Sequence, residues 1–133
     1  MTSISVKQNP TFRGENRKWL IGLHGTDPSA NPSVTLDVSK FTQATHYPDG
    51  FIASGMVLGQ VTATKRYGPY DAAASDGRQI AVGFLFGTLP VTGETKVGGA
   101  LVKHGFVDAA QLPANNGLDA AARTALKLID FTN

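Results

Sequence analysis

Three histidines, three aspartates, two serines and one basic aromatic cluster are the side chains whose types could do chemistry beyond packing. His24, His46 and His104 could ligate a metal or carry protons. None has a second histidine or a carboxylate pair at the three- or four-residue spacing that turns two side chains toward one ion. The chain has no cysteine, so a tetrahedral site would need all three histidines or added carboxylates, and neither a metal nor a cofactor is expected. Asp49, Asp71 and Asp76 could pair for acid–base work, yet Asp49-Gly50 and Asp76-Gly77 have the composition of turns. Ser54 and Ser75 lack the glycine two residues earlier that a nucleophile elbow requires. Neither the Walker phosphate loop nor the dinucleotide fingerprint is present. No catalytic residue is assigned, and the chain is not expected to be an enzyme.

Two segments could serve binding. In KRYGPYD, Tyr67 and Tyr70 with Lys65 and Arg66 could stack bases in a nucleic-acid groove, but Gly68 and Pro69 in a neutral surrounding favour an exposed turn. The second is the N-terminal stretch. Residues 1 to 40 carry five cations (Lys7, Arg13, Arg17, Lys18, Lys40) against three anions (Glu15, Asp27, Asp37), and the rest of the chain is neutral. The whole basic excess therefore sits in this leader, interleaved with Phe12, Trp19, Leu20 and Ile21. Pro10, Pro28 and Pro32 with Gly14, Gly22 and Gly25 interrupt any long helix or central strand there. The expectation is an extended arm and linker over residues 1–40, able to reach on the order of 130 Å, followed by a folded body over 41–133.

The body reads as mainly β. Residues 55–64 and 79–86 have strand patterns, and in the second Ile80, Val82, Phe84 and Phe86 alternate with the smaller Gln79, Ala81 and Gly83 and with Leu85. That small face would let another element or another subunit approach closely. Residues 97–104 form a third strand candidate, and GTLPVTGETK a turn or short hairpin. From Leu118, apolar residues fall at helical spacing through Ala121, Ala122, Ala125, Leu126 and Ile129. A short amphipathic helix follows from this, with Asn116 as its cap and Asp119 in its first turn. The fold expected is a small compact β-rich domain, clip- or barrel-like, with one short C-terminal α-helix and the N-terminal arm.

With 133 residues, 41% hydrophobic and 17% charged, at a net charge of +2, the chain has room for one modest core. Stability must come from packing or from association. The start lacks the pattern of a secretory signal, and the longest apolar run, IAVGFLFGTLPV, is too short for a membrane helix. A soluble protein without a membrane anchor is expected.

The segments PDGFIASGMVLG, YGPYDAAASDGRQIAVGFLF and KVGGALVKHGFVDAAQLP occur in an order that resembles the head decoration proteins of tailed bacteriophages, the lambda-type capsid-stabilising family. The resemblance rests on Ile52 to Gly55, on Asp76-Gly77, on Ala81, Val82, Gly83, Phe84 and Leu85, and on Gly99 to Val102, and it covers roughly Phe41 to the C-terminus. It implies a non-enzymatic cement protein that forms a homotrimer and binds the major capsid protein at three-fold and quasi-three-fold positions. There it would hold the expanded shell against the pressure of packaged DNA, with its N-terminal arm ordering on the capsid. Its location would be the outer capsid surface of the virion, and the host cytoplasm before assembly; no direct contact with nucleic acid is implied. Combined with the residue reading, Phe12, Arg13, Arg17, Lys18, Trp19, Leu20 and Ile21 are the candidate capsid-binding residues. Tyr67, Tyr70, Ala81 and Gly83 are the candidate trimer interface. The alternatives are a small nucleic-acid-binding module using the basic arm and the two tyrosines, and a carbohydrate-binding virion surface protein.

Overall fold

A computed structural model describes residues 17–22 and 31–132. In chain order the strands and helices are β1 (Leu20–Ile21), β2 (Ser33–Asp37), α1 (Gln43–His46), β3 (Phe51–Ile52), β4 (Val57–Gln60), β5 (Tyr67–Pro69) and β6 (Ala81–Leu85). They continue as β7 (Leu89–Pro90), β8 (Lys96–Val102), β9 (Gly105–Val107), α2 (Ala120–Ala125) and β10 (Ile129–Phe131). The fold is mainly β, as expected. A closed barrel has the order β2-β5-β4-β6-β8, a second sheet has the order β1-β9-β10, and β3 pairs with β7.

The apolar runs on both faces of the central strands have a direct cause. In β4, β6 and β8, neighbouring residues go to different cores. Leu58, Leu85 and Leu101 join Leu36 of β2 and Ile52 of β3 in one cluster. Val57, Phe84 and Val102 join Trp19, Val107, Ala122, Leu126 and Ile129 in the other. The first cluster takes a residue from four barrel strands and so fills the barrel interior; the second lies between the barrel wall and the layer made by α2, β9 and β10. Strands covered on both faces show no clean polar alternation, which is why Phe84-Leu85 and Leu101-Val102 read as continuous apolar pairs.

The small residues of β6 let its neighbours within the chain approach closely, β8 at Gly83 and β4 at Ala81. A Cβ added to Gly83 would stand 2.5 Å from the Val102 carbonyl oxygen, and Ala81 is buried in the second cluster. Gly77 has φ +118°, a backbone region open to glycine, and its α-carbon lies against the Gln60 carbonyl and Thr62. The expected turn at Asp76-Gly77 is thus a docked turn.

Four expectations change in detail. KRYGPYD is only in part a turn: Lys65 N donates to the Val61 carbonyl at 2.8 Å, and Tyr67–Pro69 then pairs antiparallel with β4 as a barrel strand. Residues 33–40, included in the arm and linker over 1–40, form β2 and a following 3-10 turn, because Val34, Leu36 and Val38 alternate into the barrel interior. Helix α2 is capped by Asp119, whose carboxylate accepts from Ala122 N at 2.8 Å, while Asn116 accepts from Leu118 N ahead of it. The helix ends at Ala125, and Ile129 belongs to β10, where parallel pairing with β9 buries it. A helix this short is weak on its own, so the sheet contact decides the boundary.

Candidate functional site

Trp19, Ser54, Gly55 and Phe86 meet where the N-terminal segment joins the body. Trp19 is fully buried and stacks at a tilt on Phe84, ring centroids 5.3 Å apart. Its indole Nε1 donates to Ser54 Oγ at 3.1 Å, and that hydroxyl donates to the Phe86 carbonyl at 2.6 Å. The main chain of Ser54 donates to Thr88 Oγ1 at 3.0 Å, which fixes the serine. Gly55, at φ +99°, would place a Cβ 3.0 Å from the indole nitrogen and 2.7 Å from Pro113, so only a bare α-carbon leaves room for the ring.

Arg17 completes the joint: its Nε donates to the Phe86 carbonyl at 2.9 Å and its guanidinium lies 4.0 Å over the Phe86 ring. Arg17 is exposed, so that contact is of the modest, solvent-screened kind. Asp108 N donates to the Trp19 carbonyl at 2.8 Å, after which Leu20 and Ile21 pair with Val107 and Phe106. Residues 17–21 are therefore rooted on the body. Ile52 to Gly55 and the Phe84–Phe86 stretch, conspicuous in the sequence as motifs, form the socket.

Beside this root lies an apolar surface. Ile21 and Phe106 face each other across β1 and β9 and are each 40% exposed; Leu128, just before β10, is 61% exposed. The sequence reading missed Phe106 and Leu128. The available signal was the alternation of Phe106 between Gly105 and Val107, which leaves a large ring on the face opposite a buried valine.

The predicted residues separate accordingly. Phe12 and Arg13 lie outside the described residues, as does His24. Lys18 and Ile21 are exposed and Leu20 is half-buried. Trp19, expected on the arm's contact surface, is instead a core residue, because a ring of that size has a hydrogen-bonded pocket available within the chain. Of the trimer candidates, Tyr70, Ala81 and Gly83 are buried and only Tyr67 is partly open. Tyr70 cannot act as a base-stacking platform in this arrangement. Its ring packs in the core and its hydroxyl donates to Asp119 Oδ1 at 2.9 Å; burial, that bond and the charges of Asp119 and Asp71 push its phenol pKa up.

The other titratable groups are held by local structure. Asp71 accepts from Ala73 N within a turn. Asp76 accepts from Arg78 Nε at 3.1 Å and lies 3.7 Å from Lys40; desolvation opposes its ionisation, but the Arg78 hydrogen bonds and the two cations win and hold it below the usual carboxylate range. Nδ1 of His46 accepts from Thr42 N at 2.8 Å, and the ring stands edge-on to Phe41. Desolvation, then the Arg78 charge, lowers its pKa. Among the described residues no group of three or more histidines and carboxylates could hold a metal, and no helix is long and apolar enough to cross a membrane.

A family model described as Bacteriophage lambda head decoration protein D matches residues 29–130. The match begins ahead of Phe41 and takes in all of β2. No curated protein sequence matches the chain.

Proposed function

The chain belongs to the bacteriophage lambda head decoration protein D family, and on that premise we propose that it is a homotrimeric cement protein, bound to the major capsid protein at three-fold and quasi-three-fold positions. Its role is to hold the expanded shell against the pressure of packaged DNA. The segment before Arg17 is the capsid-binding arm, with Phe12 and Arg13 among its contacts. The observation that carries this reading is the root: residues 17–21 are fastened to the body by Trp19, by Arg17 and by β1. A fastened root transmits load from an arm to a folded body, whereas a loose linker would only tether it. Backbone pairing of such an arm with a shell strand would supply affinity without demanding many specific side chains, and three arms per trimer would multiply weak contacts through effective concentration. Ile21, Phe106 and Leu128 adjoin the root and extend the shell-facing surface.

Co-sedimentation with expanded capsids tests the arm. Removal of residues 1–16 leaves the melting temperature unchanged and abolishes retention on the capsid. Removal of residues 1–20 is a different experiment, because it also extracts Trp19 at about 3–5 kcal/mol of stability, the usual loss for a buried tryptophan. Full retention after the shorter truncation would overturn the arm's role.

A further inference from the structure

The barrel closes unevenly between β2 and β5. Strand β2 pairs with β8 through all five of its residues but meets β5 only at Leu36 and Tyr67. Among the described residues, positions 33–35 therefore have no strand on the β5 side. The seam widens there into an open groove of about 670 Å³. Its rim is basic: Lys65 and Arg66 come from the turn between β4 and β5, and Lys96 from the start of β8. Lys65 and Lys96 are exposed, and no ion pair engages any of the three among the described residues.

The anions close by offset only part of this charge, two against three cations. Asp37 stands opposite Lys96 in the β2–β8 register, its carboxylate accepting from Ser39 N at 3.1 Å. Glu94 is exposed two positions before Lys96. Lys65 also sits at φ +63°, a left-handed conformation that Asn or Gly adopts more readily, so the turn holds a cation at the rim at some conformational cost. The Lys65 carbonyl accepts from Gln60 Nε2 at 3.2 Å, which ties that conformation to β4.

We propose that this seam is a second protein-binding site, which takes an extended acidic segment of another protein as an added strand against β2. The main-chain groups of residues 33–35 pair with the ligand's backbone, and its carboxylates meet Lys65, Arg66 and Lys96. An unpaired strand edge offers alternating donors and acceptors at the spacing of a peptide. A nucleic acid fits less well, because successive bases need several rings to stack on, and among the described residues Tyr67 is the one aromatic in the groove lining. The site lies on the body and uses no residue of the arm, so it goes beyond capsid binding through the arm.

Fluorescence anisotropy on the full-length protein tests the proposal, with a fluorescein-labelled heptapeptide of alternating glutamate and valine as the probe. Saturable binding is expected, weakened at least tenfold in the Lys65→Glu/Lys96→Glu variant and at least threefold in Lys96→Gln alone. Both variants should keep the wild-type melting temperature. Methylating alternate backbone nitrogens of the peptide should weaken binding at least fivefold, and removing residues 1–16 should leave it unchanged. Three results would each overturn the proposal: no saturable binding, indifference to backbone methylation, or a seven-nucleotide oligothymidine binding more tightly than the peptide.

Discussion

His46 shows how much a single side chain can report about this fold. Its Nδ1 is the acceptor for Thr42 N at the start of α1, and the ring is partly desolvated beside Phe41 with the Arg78 charge acting on it. Each of these features favours the neutral imidazole, so the folded-state pKa lies below the unfolded one. The unfolded chain then binds more protons as pH falls through the ordinary histidine range, and stability present above that range is lost below it. A thermal melt series from pH 7.5 to pH 5 should show the melting temperature falling, and His46→Leu should flatten that slope. An unchanged slope in the variant would assign the acid sensitivity to groups other than His46; Asp76, whose lowered pKa removes stability only at more acid pH, acts below this window.

At the scale of elements, α2 depends on its cap. Asp119 receives both Ala122 N and the Tyr70 hydroxyl, so one carboxylate joins the helix start to the residue that follows β5 and to the core. Asp119→Ala should lower stability by about 1–3 kcal/mol, a lost cap plus an orphaned buried hydroxyl, read from the denaturant midpoint; Asp119→Asn should recover part of it. The helix itself was legible from the spacing of Leu118 to Leu126, as were β6 and β8 from their apolar runs. What the sequence concealed has a common cause, long-range pairing. The two-residue β1 has no period of its own, β10 continues the helical spacing through Ile129, and KRYGPYD has turn composition although Tyr67–Pro69 completes a barrel. Trp19 was misplaced for the same reason: its neighbours are basic and glycine-broken, whereas its pocket is assembled from Ser54, Gly55 and Phe84.

For the molecule as a whole, the limited core is divided in two, and the outer half is closed by the thin β1-β9-β10 layer. The exposed face of that layer carries Ile21, Phe106 and Leu128, an apolar surface of the kind that marks a contact with another protein. Phe106→Ser with Leu128→Ser should leave the melting temperature within a few degrees of wild type, since neither ring nor branch is buried. The same pair should weaken capsid retention several-fold in the co-sedimentation assay. Light scattering on the variant and on the wild type separates the two kinds of contact: equal masses assign the surface to the shell, and a lower mass in the variant assigns it to a contact between copies of the chain.

Strand β9 lies between β1 from the front of the chain and β10 from its far end, antiparallel to the first and parallel to the second. During synthesis on a ribosome, Trp19 emerges long before Phe84, Val107 or Ile129, which share its core cluster. The socket can close only after Phe84–Phe86 has been released, and the core cluster around it only after Ile129. A product terminated before Ile129 would leave the core cluster around Trp19 incomplete and β9 without its parallel partner, so a fully fastened N-terminal segment requires synthesis through β10.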